Sequence, residues 1–141
     1  MKVIFLDIDG VLNNTASLVE AVHLLPEKAI LLQRLITATD AKIVISSTWR
    51  VGRTPAQIQE YLYFIGCWNA TVVDFTPALP GVRGHEIQTW LDSGVTNVES
   101  YVIIDDDDDM LESQKDNFIL TDIRCGFTSR DLAKAIEILN G

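Results

Sequence analysis

Cysteine is scarce in this sequence. Only Cys67 and Cys125 are present, with no Cys-x-x-Cys spacing, so neither a zinc site nor a disulfide framework is expected. Two reduced, packed thiols in a cytoplasmic protein are the expectation instead. Positive charge is short as well: 11 Lys and Arg stand against 20 Asp and Glu, a formal net charge of −9. That balance argues against a broad phosphate-binding face for nucleic acid, because such faces rest on lysine and arginine. No lysine lies between Lys42 and Lys115. Long apolar runs are missing too. The first run carries one lysine and is broken at Asp7, which fits neither a signal peptide nor a membrane span. No repeat, linker or composition shift marks a second domain.

What is there is a chain of 141 residues, long enough for one domain (1–141) with a substantial core. Hydrophobic residues at 48% and charged residues at 22% place it among globular rather than disordered chains. Short β-branched runs at Lys2–Leu6, Lys42–Ile45, Ala70–Val73, Ser100–Ile104 and Asn117–Leu120 read as five strands. Helical patterns lie between them. Leu18, Val19, Val22 and Leu25 recur at helical spacing, and Pro26 opens an amphipathic helix to about Thr39. Thr54-Pro55 opens another that Gly66 stops, and Glu86 to Leu91 makes a third after a Pro/Gly loop over 75–84. Thr128 with Asp131 forms a capping box for the last helix. The alternation predicts a Rossmann-like, three-layer α/β/α fold with a mainly parallel five-stranded sheet.

In such sheets ligands bind at the carboxyl ends of the strands, near a topological switch point. Three strands end in polar chemistry: Asp7 and Asp9, Ser46 and Ser47, Asp105 and Asp106. If those strands are neighbours, the groups converge. Ionised carboxylates beside a core are costly unless compensated, and a divalent cation such as Mg²⁺, which prefers hard oxygen ligands, is the usual compensation. Part of the negative charge then belongs to a metal site, so −9 overstates the repulsion of an anionic substrate. Asp107 to Asp109 read as a solvated face. His23 and His85 read as surface or core residues. Trp49, Trp68 and Trp90 read as core, with Trp49 set apart by its place beside Ser46-Ser47.

These stretches resemble the haloacid dehalogenase (HAD) superfamily phosphatases. Asp7-Ile8-Asp9-Gly10-Val11-Leu12-Asn13 is similar to their first motif, Ile43-Val44-Ile45-Ser46-Ser47 to the second, and Tyr101-Val102-Ile103-Ile104-Asp105-Asp106 to the fourth. The Ser-Ser-x-Trp-Arg run and Arg83-Gly84-x-Glu86-Ile87 resemble a small, capless group related to the HAD domain of Swiss Army Knife RNA-repair proteins. The third motif, normally a lysine, departs from the pattern, and Arg83 is the first candidate to replace it.

The resemblance implies a Mg²⁺-dependent phosphohydrolase with no large cap domain. Asp7 is its nucleophile, forming an aspartyl-phosphate, and Asp9 its general acid and base. Asp7, Asp9 (through its backbone carbonyl), Asp105 and Asp106 are its metal-site residues, with Asp106 the direct ligand and Asp105 behind it. Ser46 or Ser47 holds the phosphate, with Ser46 the first choice. Arg50 and Arg83 are candidates to neutralise phosphate charge. The substrate is a phosphorylated small molecule or macromolecular end. A nucleic-acid end is possible but not indicated by charge, and no membrane partner is expected. Two alternatives stand beside this reading: a nucleic-acid end-processing phosphatase, and a non-catalytic HAD-like binding module.

Overall fold

A computed structural model describes residues 1–20, 23–94 and 97–141. Val22 of the expected first helical stretch lies outside them. Five strands, β1 (Lys2–Leu6), β2 (Lys42–Ile45), β3 (Val72–Phe75), β4 (Ser100–Asp105) and β5 (Phe118–Leu120), form one sheet. The order is β3-β2-β1-β4-β5 and every pairing is parallel. β1 is therefore central. The chain runs outward through β2 to β3, then returns to the other side of β1, so the switch point lies between β1 and β4.

Burial on both faces explains why the strands read as near-continuous apolar runs. One face carries Ile4, Leu6, Ile43, Ile45, Val102 and Ile104. Against it pack α2 (Pro26–Thr39), α3 (Pro55–Ile65) and α5 (Ser129–Asn140), through residues such as Leu32, Leu35, Ile58, Leu62 and Ala135. The other face carries Val3, Phe5, Val44 and Ile103, covered by Ile87 and Trp90 of α4 (Arg83–Asp92). Phe5 meets the rings of Trp90 and Tyr101 edge-on, at 5.4 and 5.8 Å. The chain is thus a Rossmann-like α/β/α sandwich without a cap. Among the described residues between β1 and α2, the one helix is the short α1 (Thr15–Val19), capped by Asn14.

Two elements and two residues differ from expectation. β3 starts at Val72 rather than Ala70; Thr71 joins β2 through its carbonyl, which accepts from Ile43 N. α4 starts at Arg83, three residues early, so Arg83 sits in a helix rather than in the preceding loop. Trp68 is 65% exposed and Cys125 is exposed; neither is packed in the core. Among the described residues no helix is long and apolar enough to cross a membrane.

Phe5 is fully buried and carries the thinner, α4-covered face. Phe5→Ala is expected to cost about 3–5 kcal/mol, the range for a buried phenylalanine. Urea unfolding measures it; an unshifted midpoint would show that α4 contributes little to the core.

Candidate active site

Strand register builds the site. Leu6 pairs with Ile45 and Ile104, and Ile45 with Phe75. The next residue on each strand, Asp7, Ser46, Asp105 and Thr76, therefore forms one row across four neighbouring strand ends. The backbone bonds Asp7 N to Ile104 O, Ser46 N to Leu6 O and Thr76 N to Ile45 O carry the ladder that one step further. Side-chain alternation puts the row on the Phe5–Val44–Ile103 face, beneath α4.

α4 delivers the countercharge. Arg83 Nη1 lies 2.7 Å from Asp105 Oδ2 and 3.2 Å from Asp7 Oδ1. The helix is fixed there by Asp109, whose Oδ2 accepts from Arg83 N at 2.9 Å and whose carbonyl accepts from Gly84 N. Gly84 is required for this docking, since a Cβ would come within 2.6 Å of Leu111 N. Asp109 is therefore not part of a solvated face, unlike Asp107 and Asp108, which are exposed.

Burial dominates the electrostatics. It holds the Asp7 carboxyl well above the ordinary carboxylate range, the Asp105 charge pushes it further, and Arg83 opposes both. Asp105, fully buried, is also raised by burial, against the pull of Arg83. For Arg83, burial pulls downward, yet Asp105, Asp7 and Asp109 together raise it above its ordinary value.

Asp9 is held apart from this group. Its Oδ1 accepts from Asn13 Nδ2 at 2.9 Å and from Trp49 Nε1 at 3.2 Å. The turn around it is clamped: Asn13 Oδ1 accepts from Gly10 N, and Thr121 Oγ1 donates to Gly10 O. Gly10 has φ +83°, and a Cβ there would overlap the Asp106 carboxylate. Only glycine allows Asp106 to come this close to the opening motif.

The two serines differ. Ser47 Oγ accepts from Trp49 N, capping a 3₁₀ turn over Thr48–Arg50. Ser46 is fully buried and its Oγ has no hydrogen-bond partner among the described residues. Arg50 braces this turn. Its guanidinium donates to Glu86 Oε2 at 2.7 Å, Ser46 O at 2.7 Å and Thr76 Oγ1 at 3.2 Å. It ties the Ser46 turn to α4, while its Nε has no hydrogen-bond partner among the described residues.

The family profile described as HAD domain in Swiss Army Knife RNA repair proteins matches residues 3–132. The chain belongs to this family. No curated protein and no solved structure matches it.

For this HAD domain, the donor set can be tested against a bound cation. Asp7, Asp105 and Asp106 each offer a carboxylate oxygen within 4.8 Å of the others. Three carboxylates face one guanidinium, and hard oxygens with excess negative charge fit a divalent metal. Both Asp105 oxygens are already hydrogen-bonded, Oδ2 by Arg83 and Oδ1 by Asp107 N. The Asp9 carboxylate is not in the cluster. Asn13, Thr76, Glu86, Asp109 and Thr121, which the sequence did not single out as site residues, form the supporting frame. The one available signal was Glu86 in its Arg-Gly-x-Glu-Ile run.

A pH dependence follows for the metal-free protein. The folded state keeps a proton on Asp7 that the unfolded chain has released above about pH 4. Stability from this group therefore falls as pH rises from there toward its raised folded value. Asp7→Asn removes the titration, so the variant should gain thermal stability relative to wild type as pH goes from 5 to 8 in chelator. A constant difference in melting temperature across that range would contradict the assignment.

Proposed function

We propose that this HAD domain is a Mg²⁺-dependent phosphohydrolase that cleaves phosphate monoesters through an aspartyl-phosphate on Asp7. The observation that carries the reading is the convergence of Asp7 with Asp105, Asp106 and Arg83 at the switch point of the sheet.

Mg²⁺, held by Asp7 and Asp106 with Asp105 behind them, would offset the repulsion between a carboxylate and a phosphate dianion. Asp7, ionised, attacks phosphorus through a carboxylate oxygen as the bond to the leaving oxygen breaks. Asp9 gives that oxygen a proton. It then takes a proton from water, which attacks the acyl phosphate, restores Asp7 and releases inorganic phosphate. Ser46 Oγ, buried and without a partner among the described residues, donates to a phosphate oxygen. Arg83 supplies the fixed positive charge that a third-motif lysine gives elsewhere in the superfamily. Asp7 and Asp9 together favour the enzyme over a binding module, because a retired site needs no second acid.

A phosphorylated nucleic-acid end is a second reading of the substrate. The family description, drawn from RNA repair proteins, favours it, and so does the lack of a cap that would restrict bulky ends. The charge of −9 weighs against any extended contact with the rest of the strand.

Hydrolysis of an aryl phosphate should require Mg²⁺ and stop in EDTA. Asp7→Asn should abolish turnover, and Asp9→Asn should slow it by roughly 10²–10⁴-fold. Undiminished activity in EDTA, or near-normal turnover by Asp7→Asn, would sink the mechanism. A screen that includes oligonucleotides with terminal phosphates separates the two substrate readings.

Thermal melting tests the metal site independently of turnover. Mg²⁺ should raise the melting temperature of wild type by mass action on the folded state. The gain should shrink in Asp106→Asn and persist in Asp108→Asn, whose side chain is exposed. Equal Mg²⁺ shifts in all three proteins would remove Asp106 from the ligand set.

A further inference from the structure

We infer that Trp49 is a positioning residue that fixes the Asp9 carboxylate for proton transfer, an inference that rests on the phosphatase reading above. A carboxylate turns easily about its last side-chain bond, because that torsion is broad. Here two donors reach the same oxygen: the Trp49 indole N–H at 3.2 Å and Asn13 Nδ2 at 2.9 Å, both on Asp9 Oδ1. With Oδ1 held twice, the carboxylate plane is set. Oδ2, to which no described residue donates, is the oxygen that exchanges the proton.

Trp49 is built to hold this pose. Its backbone N donates to Ser47 Oγ at 3.1 Å, within the turn that begins where β2 ends. Arg50, the next residue, is tied to Ser46 O, Thr76 and Glu86. The Arg53 guanidinium lies 5.0 Å from the Trp49 ring centroid and donates to the Trp49 carbonyl. The indole N–H is a donor only, so it cannot carry the proton itself and acts through Asp9. The turn that supplies the buried Ser46 therefore also aims the general acid. One short segment couples the phosphate end of the site to the leaving-group end.

The test uses the full chain with Mg²⁺ and two substrates, phenyl phosphate (a poor leaving group) and 2,4-dinitrophenyl phosphate (a good one). Trp49→Phe keeps the aromatic bulk and removes the N–H; Trp49→Leu replaces it should the phenylalanine variant fail to melt cooperatively. A good leaving group needs little protonation, so misaimed acid catalysis should appear on the poor one alone. The expected result is a kcat loss of roughly 10- to 100-fold on phenyl phosphate and less than about threefold on the dinitrophenyl ester, with KM little changed. In an Asp9→Asn background, the same substitution should change kcat by less than about twofold. Equal losses on both substrates, or an undiminished loss in the Asp9→Asn background, would assign Trp49 a merely structural role and overturn the inference. A wild type that hydrolyses neither ester would instead bring down the phosphatase reading, and this inference with it.

Discussion

Arg83 stands between two carboxylates that burial alone would keep protonated, and the shape of the site follows from how it gets there. Taking a carboxylate out of water costs several kcal/mol, recovered only with a well-placed countercharge and hydrogen bonds. At 2.7 Å from Asp105 and 3.2 Å from Asp7, one guanidinium serves both acids, and Asp106 adds a third carboxylate to the cluster. The compensation is incomplete, as the upward displacement of both Asp7 and Asp105 shows. A fold that keeps such a deficit gains from any cation that enters, so metal affinity and folded-state stability become one quantity.

The acids stay in place because buried polar networks hold the backbone on either side of them. On the β1 side, Asn13 and Thr121 bind Gly10 from two directions. On the β2 side, Arg50 joins Ser46 O, Thr76 and Glu86. Under α4, Gln114, fully buried, donates to Gly84 O and accepts from Leu111 N, seating the helix against the loop that carries Asp109. Each network links segments far apart in sequence. Rigidity is concentrated around the groups that are strained electrostatically.

The legible part of this architecture was local. Buried parallel strands announce themselves as apolar runs, and the polar residues that end them mark the site before any pairing is known. Asp7, Ser46, Asp105 and Asp106 were visible for that reason, and the fold with them. The misread features all depend on partners distant in sequence. Arg50 and Arg83 look alike in the sequence, yet Arg50 pairs with Glu86, 36 residues on, and Arg83 with Asp105 and Asp7. The start of α4 carries no side-chain cap of its own, since Val82 offers none, and its first N–H groups are met by Asp109. The missing cap hid both the helix boundary and the burial of that aspartate. Trp68 follows a helix whose buried face is Ile58 and Leu62, and it projects beyond the space they fill.

The lack of a cap changes where selectivity resides. Asp7 is only 6% exposed without a covering domain, so its shielding comes from α4 above the row and from the Gly10 turn against Asp106. On the proposed reading, those elements enclose the phosphate end. Asp9, partly exposed and held by Trp49 and Asn13, lies outside the carboxylate cluster. On that reading, the phosphoryl group meets Ser46, Arg83 and a bound cation beside Asp7, while the remainder of the substrate meets no covering domain. Recognition of the phosphate is then strong and recognition of the rest weak, because binding energy comes only from contacts the protein can make. An enzyme of this construction distinguishes substrates mainly by whether a terminal monoester reaches Asp7, and further discrimination requires a surface outside the carboxylate row.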